Sequence, residues 1–404
     1  MINWFIHSGR YINFVGILAI IGVACIFSSK RSAIKLRLVL TALFMQGLLA
    51  IFILKTVIGK LIFSTLSTGV ESIYMYADHG CSFVFGSLAN AQGPWGFVFA
   101  FKVLPIIVFF GALMAVLFHL GIVQILVQGV AYVMRPLLGT SGAETLSVAA
   151  NSMLGQTEAP LLIKNYLPHM TNSELTTVMV SGMAHLSGSL LAVYGLMGVP
   201  IIHLISSSIM AIPGAILISK ILTPETEIPE TIGGQPIKIQ RETKNILDAI
   251  SSGTIDGLKL AVNVGAMLIA FISLMALIDG GLINVFGIGL NDIFGKVFYG
   301  VAYLIGIPLF DCVSAGSLLG QKLVINEFVA YTNMIKMTLS DRSVVILTYA
   351  LAGFSNFSCI GIQIGGIGAI CPTKRLSLIN LGMKALLGGT LANLLNAAII
   401  GLFI

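Results

Sequence analysis

Charged residues are scarce in this chain of 404 residues, where Lys, Arg, Asp and Glu together make up only 9%. Soluble globular proteins carry roughly 25% charged residues, whereas 57% of this chain is hydrophobic. The shortage of charge excludes a soluble enzyme, a disordered chain and a nucleic-acid-binding protein. The composition instead fits a membrane protein, and the length allows one polytopic bundle of about eight to ten spans. We attribute the net charge of +6 to basic cytoplasmic loops.

Clustered cysteines and catalytic motifs are also missing. The five cysteines are irregularly spaced and include no CxxC pair, so they favour neither a disulfide framework nor a zinc site. The sequence contains no HExxH, Walker or GxSxG motif. An intramembrane enzyme that uses Glu158 and Glu327 stays open as a rival, but no motif supports it, and we predict that the protein is not an enzyme and has no cofactor.

What the sequence has instead is long stretches without Asp, Glu, Lys or Arg, which predict an all-α polytopic membrane protein. One of them is long enough for two spans, with Gly198 and Pro200 marking the turn between them. The first stretch lacks a convincing cleavage site and predicts a retained span rather than a signal peptide. The stretches are 11–29, 38–54, 79–101, 103–134, 175–219, 260–278, 343–373 and 385–404.

The orientation follows from four basic residues between the first two stretches, Lys30, Arg31, Lys35 and Arg37. Short loops this basic are usually cytoplasmic. We therefore predict that the N-terminus lies outside.

Three segments are apolar enough to enter the membrane but are interrupted by Gly, Asn or charged residues: 139–170, 305–331 and 351–370. Irregular backbone is tolerated at membrane depth only where it is buried in protein or lines a cavity. Interrupted segments in corresponding halves of a chain indicate a transporter site on an inverted repeat. The polar segment 224–248 would join the two halves.

The first candidate cluster is Gln156, Thr157 and Glu158. A carboxylate at membrane depth is costly, so it is a functional candidate by default. With the neighbouring amide and hydroxyl it could hydrogen-bond the edge of a polar heterocycle. Alternatively, Glu158 neutralises Lys164 or caps a helix end.

The second cluster is Asn326 and Glu327, whose carboxylate could accept two hydroxyl hydrogens from a vicinal diol such as a ribose. The alternative is a buried ion pair between Glu327 and Lys322. The third cluster lies in the Gly-rich segment, where an Asn is as often helix–helix glue as a ligand. Its members are Phe354, Asn356, Ser358 and Cys359.

A fourth pair is Asn151 and His185. An intramembrane His can carry a proton, or it can be a satisfied polar residue between two helices. The sequence leaves both interpretations open.

These motifs resemble the concentrative nucleoside transporters in their short bacterial form. The most specific stretches are GQTEAPLL at 155–162 and NEFVAY at 326–331, and GFSNFSCIGIQIGGIGAI at 353–370 also matches. The resemblance implies about eight transmembrane helices, two re-entrant helical hairpins and interfacial helices, with an inverted repeat. It also implies a homotrimer and an elevator-type movement of a transport domain against a scaffold.

Four regions follow from the resemblance. Residues 1–100 would hold the N-terminal spans and an interfacial helix of the scaffold, and 101–223 the first half with hairpin 1 at about 139–170. Residues 224–248 would be the connecting loop. Residues 249–404 would form the second half, with hairpin 2 at about 296–326 and a broken helix near 356.

The resemblance also implies roles for site residues. Gln156, Thr157 and Glu158 match nucleobase ligands, Glu327, Asn356 and Cys359 match ribose ligands, and Phe354 matches a pocket wall. The positions that match the family's sodium site are Asn151, Leu154, His185 and Leu186. Two departures stand out: His185 replaces a small hydroxyl residue, which puts sodium coupling in doubt and makes proton coupling an option, and Cys359 replaces the usual Ser.

The resulting prediction is a secondary active symporter of the bacterial cytoplasmic (inner) membrane that imports nucleosides and is driven by a Na+ or H+ gradient, with Asn151 as the candidate sodium ligand. Its partners would be a nucleoside, membrane lipid and further copies of the chain, and no nucleic acid. The alternatives are a transporter of nucleobases or modified nucleosides, or a nucleoside-gated channel or sensor.

Overall fold

A computed structural model describes residues 10–90, 94–96, 98–232 and 243–404. Within these ranges the chain is helical and contains no β-strand, as the charge-free stretches predict. The α-helices are α1 (Arg10–Ile26), α2 (Leu36–Lys55), α3 (Val57–Phe85), α4 (Phe99–Lys102), α5 (Leu104–His119), α6 (Ile122–Leu138), α7 (Gly142–Asn151), α8 (Asn172–Ala184), α9 (Gly188–Leu196), α10 (Ile201–Leu222), α11 (Ile246–Phe286), α12 (Leu290–Val297), α13 (Tyr299–Leu304), α14 (Cys312–Val324), α15 (Glu327–Met334), α16 (Asp341–Leu351), α17 (Phe357–Ile370) and α18 (Arg375–Phe403).

Six helical segments within the described ranges are long and apolar enough to cross a membrane. The charge-free stretch 175–219 is divided as predicted, because α9 and α10 are separated by a turn in which Gly198 has a φ of 104°. The six segments are Leu36–Lys55, Phe99–His119, Asn172–Leu196, Ile201–Leu222, Ile246–Phe286 and Pro372–Phe403.

These segments divide into inner and outer helices. The most apolar window of Asn172–Leu196, which contains α8 and α9, is 94% buried, and that of α10 is 78% buried. The corresponding window of α11 is only 11% buried, so α11 presents apolar side chains outwards, as a lipid-facing helix does. The core therefore lies around α8, α9, α10 and the buried half of α18.

Several helices are interrupted inside this core. The chain unwinds between α8 and α9, between α14 and α15, and between α16 and α17. Each following helix begins with a polar N-cap that accepts a backbone N–H: Ser187, Asn326 and Asn356 respectively. N-caps satisfy the free donors of a helix start, which is how unwound backbone is accommodated in the interior.

The first interrupted segment differs from the others. After α7, the chain continues through short 3-10 turns at Ala159–Ile163 and Leu167–His169 before α8 begins. The sequence GQTE at 155–158 therefore forms a non-helical tip between α7 and these turns, and this tip reaches α17.

Candidate substrate site

The tip that follows α7 meets the start of α17. Gln156 Nε2 donates to Cys359 Sγ at 3.3 Å, which joins two positions 203 residues apart in the sequence. Both side chains are buried. The structure thus brings the first and third sequence clusters together.

Glu327 joins the second cluster to the third. Its carboxylate accepts from the Tyr194 hydroxyl at 2.9 Å and from Asn356 Nδ2 at 3.3 Å. The side chain is only 4% exposed. Because a carboxylate can accept about four hydrogen bonds, two acceptor positions remain for hydroxyl groups of a ligand.

Lys322 does not have the role that its spacing from Glu327 indicated. Its Nζ donates to the carbonyl oxygens of Ala350 at 2.9 Å and Ala352 at 3.2 Å. An ammonium at the last carbonyls of α16 is a favourable C-terminal cap. The hydrogen bonds of Lys322 therefore form this cap and not the ion pair with Glu327 that the sequence left open as an alternative.

Asn356 both caps a helix and holds a carboxylate. Its Oδ1 accepts from the Cys359 backbone N–H at 3.1 Å and from Ser358 Oγ at 2.6 Å, which caps α17. Its Nδ2 donates to Glu327. Asn356 therefore fixes both the start of α17 and the direction of the Glu327 carboxylate. Phe354, two residues earlier, is buried, with 9% of its surface exposed.

The remaining members of the first cluster lie at the edge of the site. Glu158 is exposed, and its Oε2 accepts from the Gly155 backbone N–H at 3.1 Å. This bond closes the turn at the tip and does not cap a helix end. Thr157 packs on α17, where a Cβ on Gly366 would lie 2.7 Å from Thr157 Cγ2.

Two residues of the site were missed by the sequence reasoning. Tyr194 lies in an apolar run with no distinguishing signal. Gln363 Nε2 donates to Gln156 Oε1 at 3.1 Å and to the Met179 carbonyl oxygen at 3.0 Å. Its spacing of four residues from Cys359 places both on one face of a helix, and this signal could have identified it.

Asn151 and His185 are connected through Ser181. Asn151 Nδ2 donates to Ser181 Oγ at 3.1 Å, and His185 Nδ1 lies 2.9 Å from the Ser181 carbonyl oxygen. A carbonyl can only accept, so the hydrogen-bond network assigns the hydrogen of the neutral ring to Nδ1. Leu154 and Leu186, predicted beside them, are buried.

Two acceptor atoms of this group are buried without a partner among the described residues: Asn151 Oδ1 and His185 Nε2. Unsatisfied buried polar atoms are costly. An oxygen acceptor and a basic nitrogen next to a helix break suit a cation or a proton.

Comparison with known proteins places the chain in a family. Sequence models for the Na+ dependent nucleoside transporter match at residues 15–88 (N-terminus) and 203–401 (C-terminus), and a nucleoside recognition model matches at 100–200. The Helicobacter pylori nucleoside permease NupC is 38% identical, over 96% of this chain and 97% of its own length. The chain belongs to the concentrative nucleoside transporter family.

Other relatives and a solved structure also match nearly the full length of this chain. The Bacillus subtilis uncharacterized transporter YutK is 43% identical over 96% of this chain and 98% of its own. The structure of CNTnw in an inward-facing substrate-bound state has a TM-score of 0.94 and 39% identity, with 98% of each chain covered. The resemblance inferred from the motifs is confirmed, and with it an all-α integral membrane protein of a transporter family.

Proposed function

We propose that this concentrative nucleoside transporter homologue is a secondary active symporter that imports nucleosides across the cytoplasmic membrane. The observation that carries the proposal is the buried Glu327 carboxylate, which Tyr194 and Asn356 hold beside the Gln156–Cys359 contact. A buried carboxylate with open acceptor positions suits a diol, and an adjacent amide suits a polar base. The permease function in the name of the Helicobacter pylori relative supports this substrate class.

The proposed roles divide the pocket between base and sugar. We assign the base to the tip after α7 and the ribose to the starts of α15 and α17, with an aromatic wall between 353 and 356. The proposed ligands are Gln156, Thr157 and Glu158 for the base, Glu327, Asn356 and Cys359 for the ribose, and Phe354 for the wall.

The proposed architecture has about eight spans and two re-entrant hairpins, at about 139–170 and 296–326. The halves 101–223 and 249–404 would be joined by 224–248, and residues 1–100 would belong to a scaffold that forms a homotrimer. Helix interruptions in both halves support this repeat. Transport would follow from movement of the site-bearing helices against the scaffold, like an elevator.

The test of the substrate assignment is uptake of labelled uridine and adenosine in a transporter-deficient bacterial strain. Glu327→Gln keeps the shape of the side chain but removes its charge, so we expect the initial rate to fall at least roughly tenfold. The exposed Glu71→Gln on α3 is the matched control and should transport normally. Normal uptake by Glu327→Gln at equal membrane abundance would refute the assignment of Glu327 as a ribose ligand.

The coupling cation is proposed to act at Asn151 and His185, and the unpartnered imidazole nitrogen favours a proton. We expect uptake in sodium-free medium to follow an inward pH gradient, to collapse with a protonophore and to weaken in His185→Ala. His185→Ser restores the small hydroxyl implied by the family and should make uptake more sodium-dependent. Uptake that scales with sodium at constant pH and ignores protonophores would refute the proton assignment.

A changed cargo is the second candidate, because a thiol at Cys359 is a weaker donor than a hydroxyl. Competition by nucleosides lacking the 2′- or 3′-hydroxyl separates the two candidates, since a nucleobase carrier would be indifferent to these groups. Accumulation of substrate above the external concentration excludes a passive channel or sensor.

A further inference from the structure

A chain of directed hydrogen bonds crosses the base side of the site. It begins at the Met179 carbonyl oxygen on α8, which accepts from Gln363 Nε2 on α17 at 3.0 Å. The same nitrogen donates to Gln156 Oε1 at 3.1 Å, and Gln156 Nε2 donates to Cys359 Sγ at 3.3 Å. Gln363 is 0% exposed and Gln156 is 8% exposed.

The direction of this chain is fixed at its first atom. A backbone carbonyl can only accept, so the amide nitrogen of Gln363 must face Met179. The second hydrogen of that nitrogen then points to Gln156, whose oxygen must face it. Rotating either amide by half a turn would set two acceptors or two donors against each other, which buried groups tolerate poorly.

Packing holds the two amides in place. A Cβ at Gly182 on α8 would lie 2.5 Å from Gln363 Nε2 and 3.0 Å from Gln156 Cβ. The glycine therefore leaves room for the Gln363 amide and for the Cβ of Gln156. Because the oxygen of Gln156 is engaged with Gln363, the nitrogen of Gln156 is the group available on the side of Cys359.

We propose that Gln363 sets the hydrogen-bond polarity of Gln156 and so makes the site select bases that present an acceptor to the Gln156 amide nitrogen. This inference rests on the proposed function, in which Gln156 binds the base. Gln363 is a positioning residue in this scheme, since it acts on the base through Gln156.

The test compares parent nucleosides with analogues that lack a single base acceptor. Competitors of labelled uridine and adenosine uptake would be 3-deazaadenosine, 7-deazaadenosine and pyrimidine nucleosides without one ring carbonyl. In the unmodified protein, deleting the acceptor that faces Gln156 should weaken competition roughly tenfold, because a buried donor is left unpaired. In Gln363→Met the Gln156 amide can turn, and this penalty should fall below about threefold.

Gln46 supplies a matched control. This buried glutamine on α2 also donates through Nε2 to an amide oxygen, that of Asn396 at 2.6 Å, and to a backbone carbonyl, that of Met210 at 3.4 Å. Gln46→Met loses the same kind of bonds outside the site, so it should keep the full analogue penalty. A merely structural role for Gln363 would give the two variants the same profile.

A second variant keeps the proposal testable if Gln363→Met does not fold. Gln156→Glu is nearly isosteric and presents an acceptor where the amide nitrogen stood, so the acceptor-deleted analogue should compete as well as its parent. The proposal is overturned if no acceptor deletion affects the unmodified protein, or if the penalty persists in Gln363→Met or Gln156→Glu. Failure of the unmodified protein to take up any nucleoside is a separate result, which overturns the proposed function as well.

Discussion

At the scale of single residues, the direction of the Glu327 carboxylate depends on one hydroxyl group. Tyr194 is fully buried, and its ring packs on Tyr331 and Phe328 with centroid distances of 4.7 and 5.8 Å. Tyr194→Phe would keep these ring contacts and remove only the 2.9 Å bond to Glu327. We expect the KM for uridine uptake to rise roughly five- to tenfold, since a hydrogen bond to a charged group is lost.

The matched control for Tyr194 is Tyr349, which is also fully buried and whose hydroxyl lies 3.4 Å from His203 Nδ1. Tyr349→Phe removes a buried hydroxyl that does not contact the site and should leave KM unchanged. The measurement is the KM of labelled uridine uptake for both variants and the unmodified protein at matched membrane abundance. An unaltered KM in Tyr194→Phe would show that Glu327 is positioned without it.

The residues that sequence could predict are those whose type is unusual for their surroundings. Gln156 and Glu327 were found because polar groups are costly in apolar, Gly-broken segments. Tyr194 could not be found, because an apolar run gives a tyrosine no reason to stand out and its partner is 133 residues away. The sequence left an ion pair between Lys322 and Glu327 open as an alternative, and spacing alone could not decide it. The helix ends at Val324, and beyond this break the two side chains have different hydrogen-bond partners.

At the scale of helices, α5 and α11 touch through glycines. A Cβ on Gly253 would lie 2.5 Å from the Gly111 carbonyl oxygen, and one on Gly257 would lie 2.8 Å from the Val108 Cα. Small residues spaced by four allow such close approach of membrane helices. Gly253→Ala should therefore push the helices apart and lower the stability by about 1–3 kcal/mol, as overpacking does.

A glycine-to-alanine substitution elsewhere on α11 should leave the stability unchanged or raise it. A Cβ on Gly280 meets nothing within 4 Å, and alanine favours a helix over glycine by up to about 1 kcal/mol. Thermal unfolding of the detergent-solubilised variants should show a lower midpoint for Gly253→Ala and an equal or higher midpoint for Gly280→Ala. Equal shifts in both variants would contradict the close packing of α5 on α11.

The length of α11 shows where sequence reasoning about helices ends. The charge-free stretch 260–278 predicts only the middle part of α11, whereas the helix runs from Ile246 to Phe286. Charged residues alone do not end a helix. The exposed side chains of Asp256 and Lys259 pair on the outer surface of α11, with Lys259 Nζ 3.6 Å from Asp256 Oδ1. With 41 residues, α11 is about 60 Å long. It therefore extends well beyond a hydrocarbon core of about 30 Å.

At the scale of the whole molecule, the loop between α1 and α2 and the end of α10 lie at the same end of the helix bundle. The backbone N–H of Ser29 donates to the Leu222 carbonyl oxygen at 2.9 Å. This bond joins the basic loop between α1 and α2 to the end of α10. The exposed Ser32 and Glu227 should therefore face the same compartment, and from the positive charges of the loop we predict that this compartment is the cytoplasm.

Cysteine labelling tests this orientation. Ser32→Cys and Glu227→Cys would be made on a Cys25→Ser background, because the other four cysteines are buried. A membrane-impermeant maleimide should modify both positions only after the cells are permeabilised, and the background protein should stay unlabelled throughout. Labelling of both positions in intact cells would show that the protein has the opposite orientation in the membrane. Labelling of only one would break the link between the basic loop and α10, because a bond of 2.9 Å cannot join segments on opposite faces of a membrane.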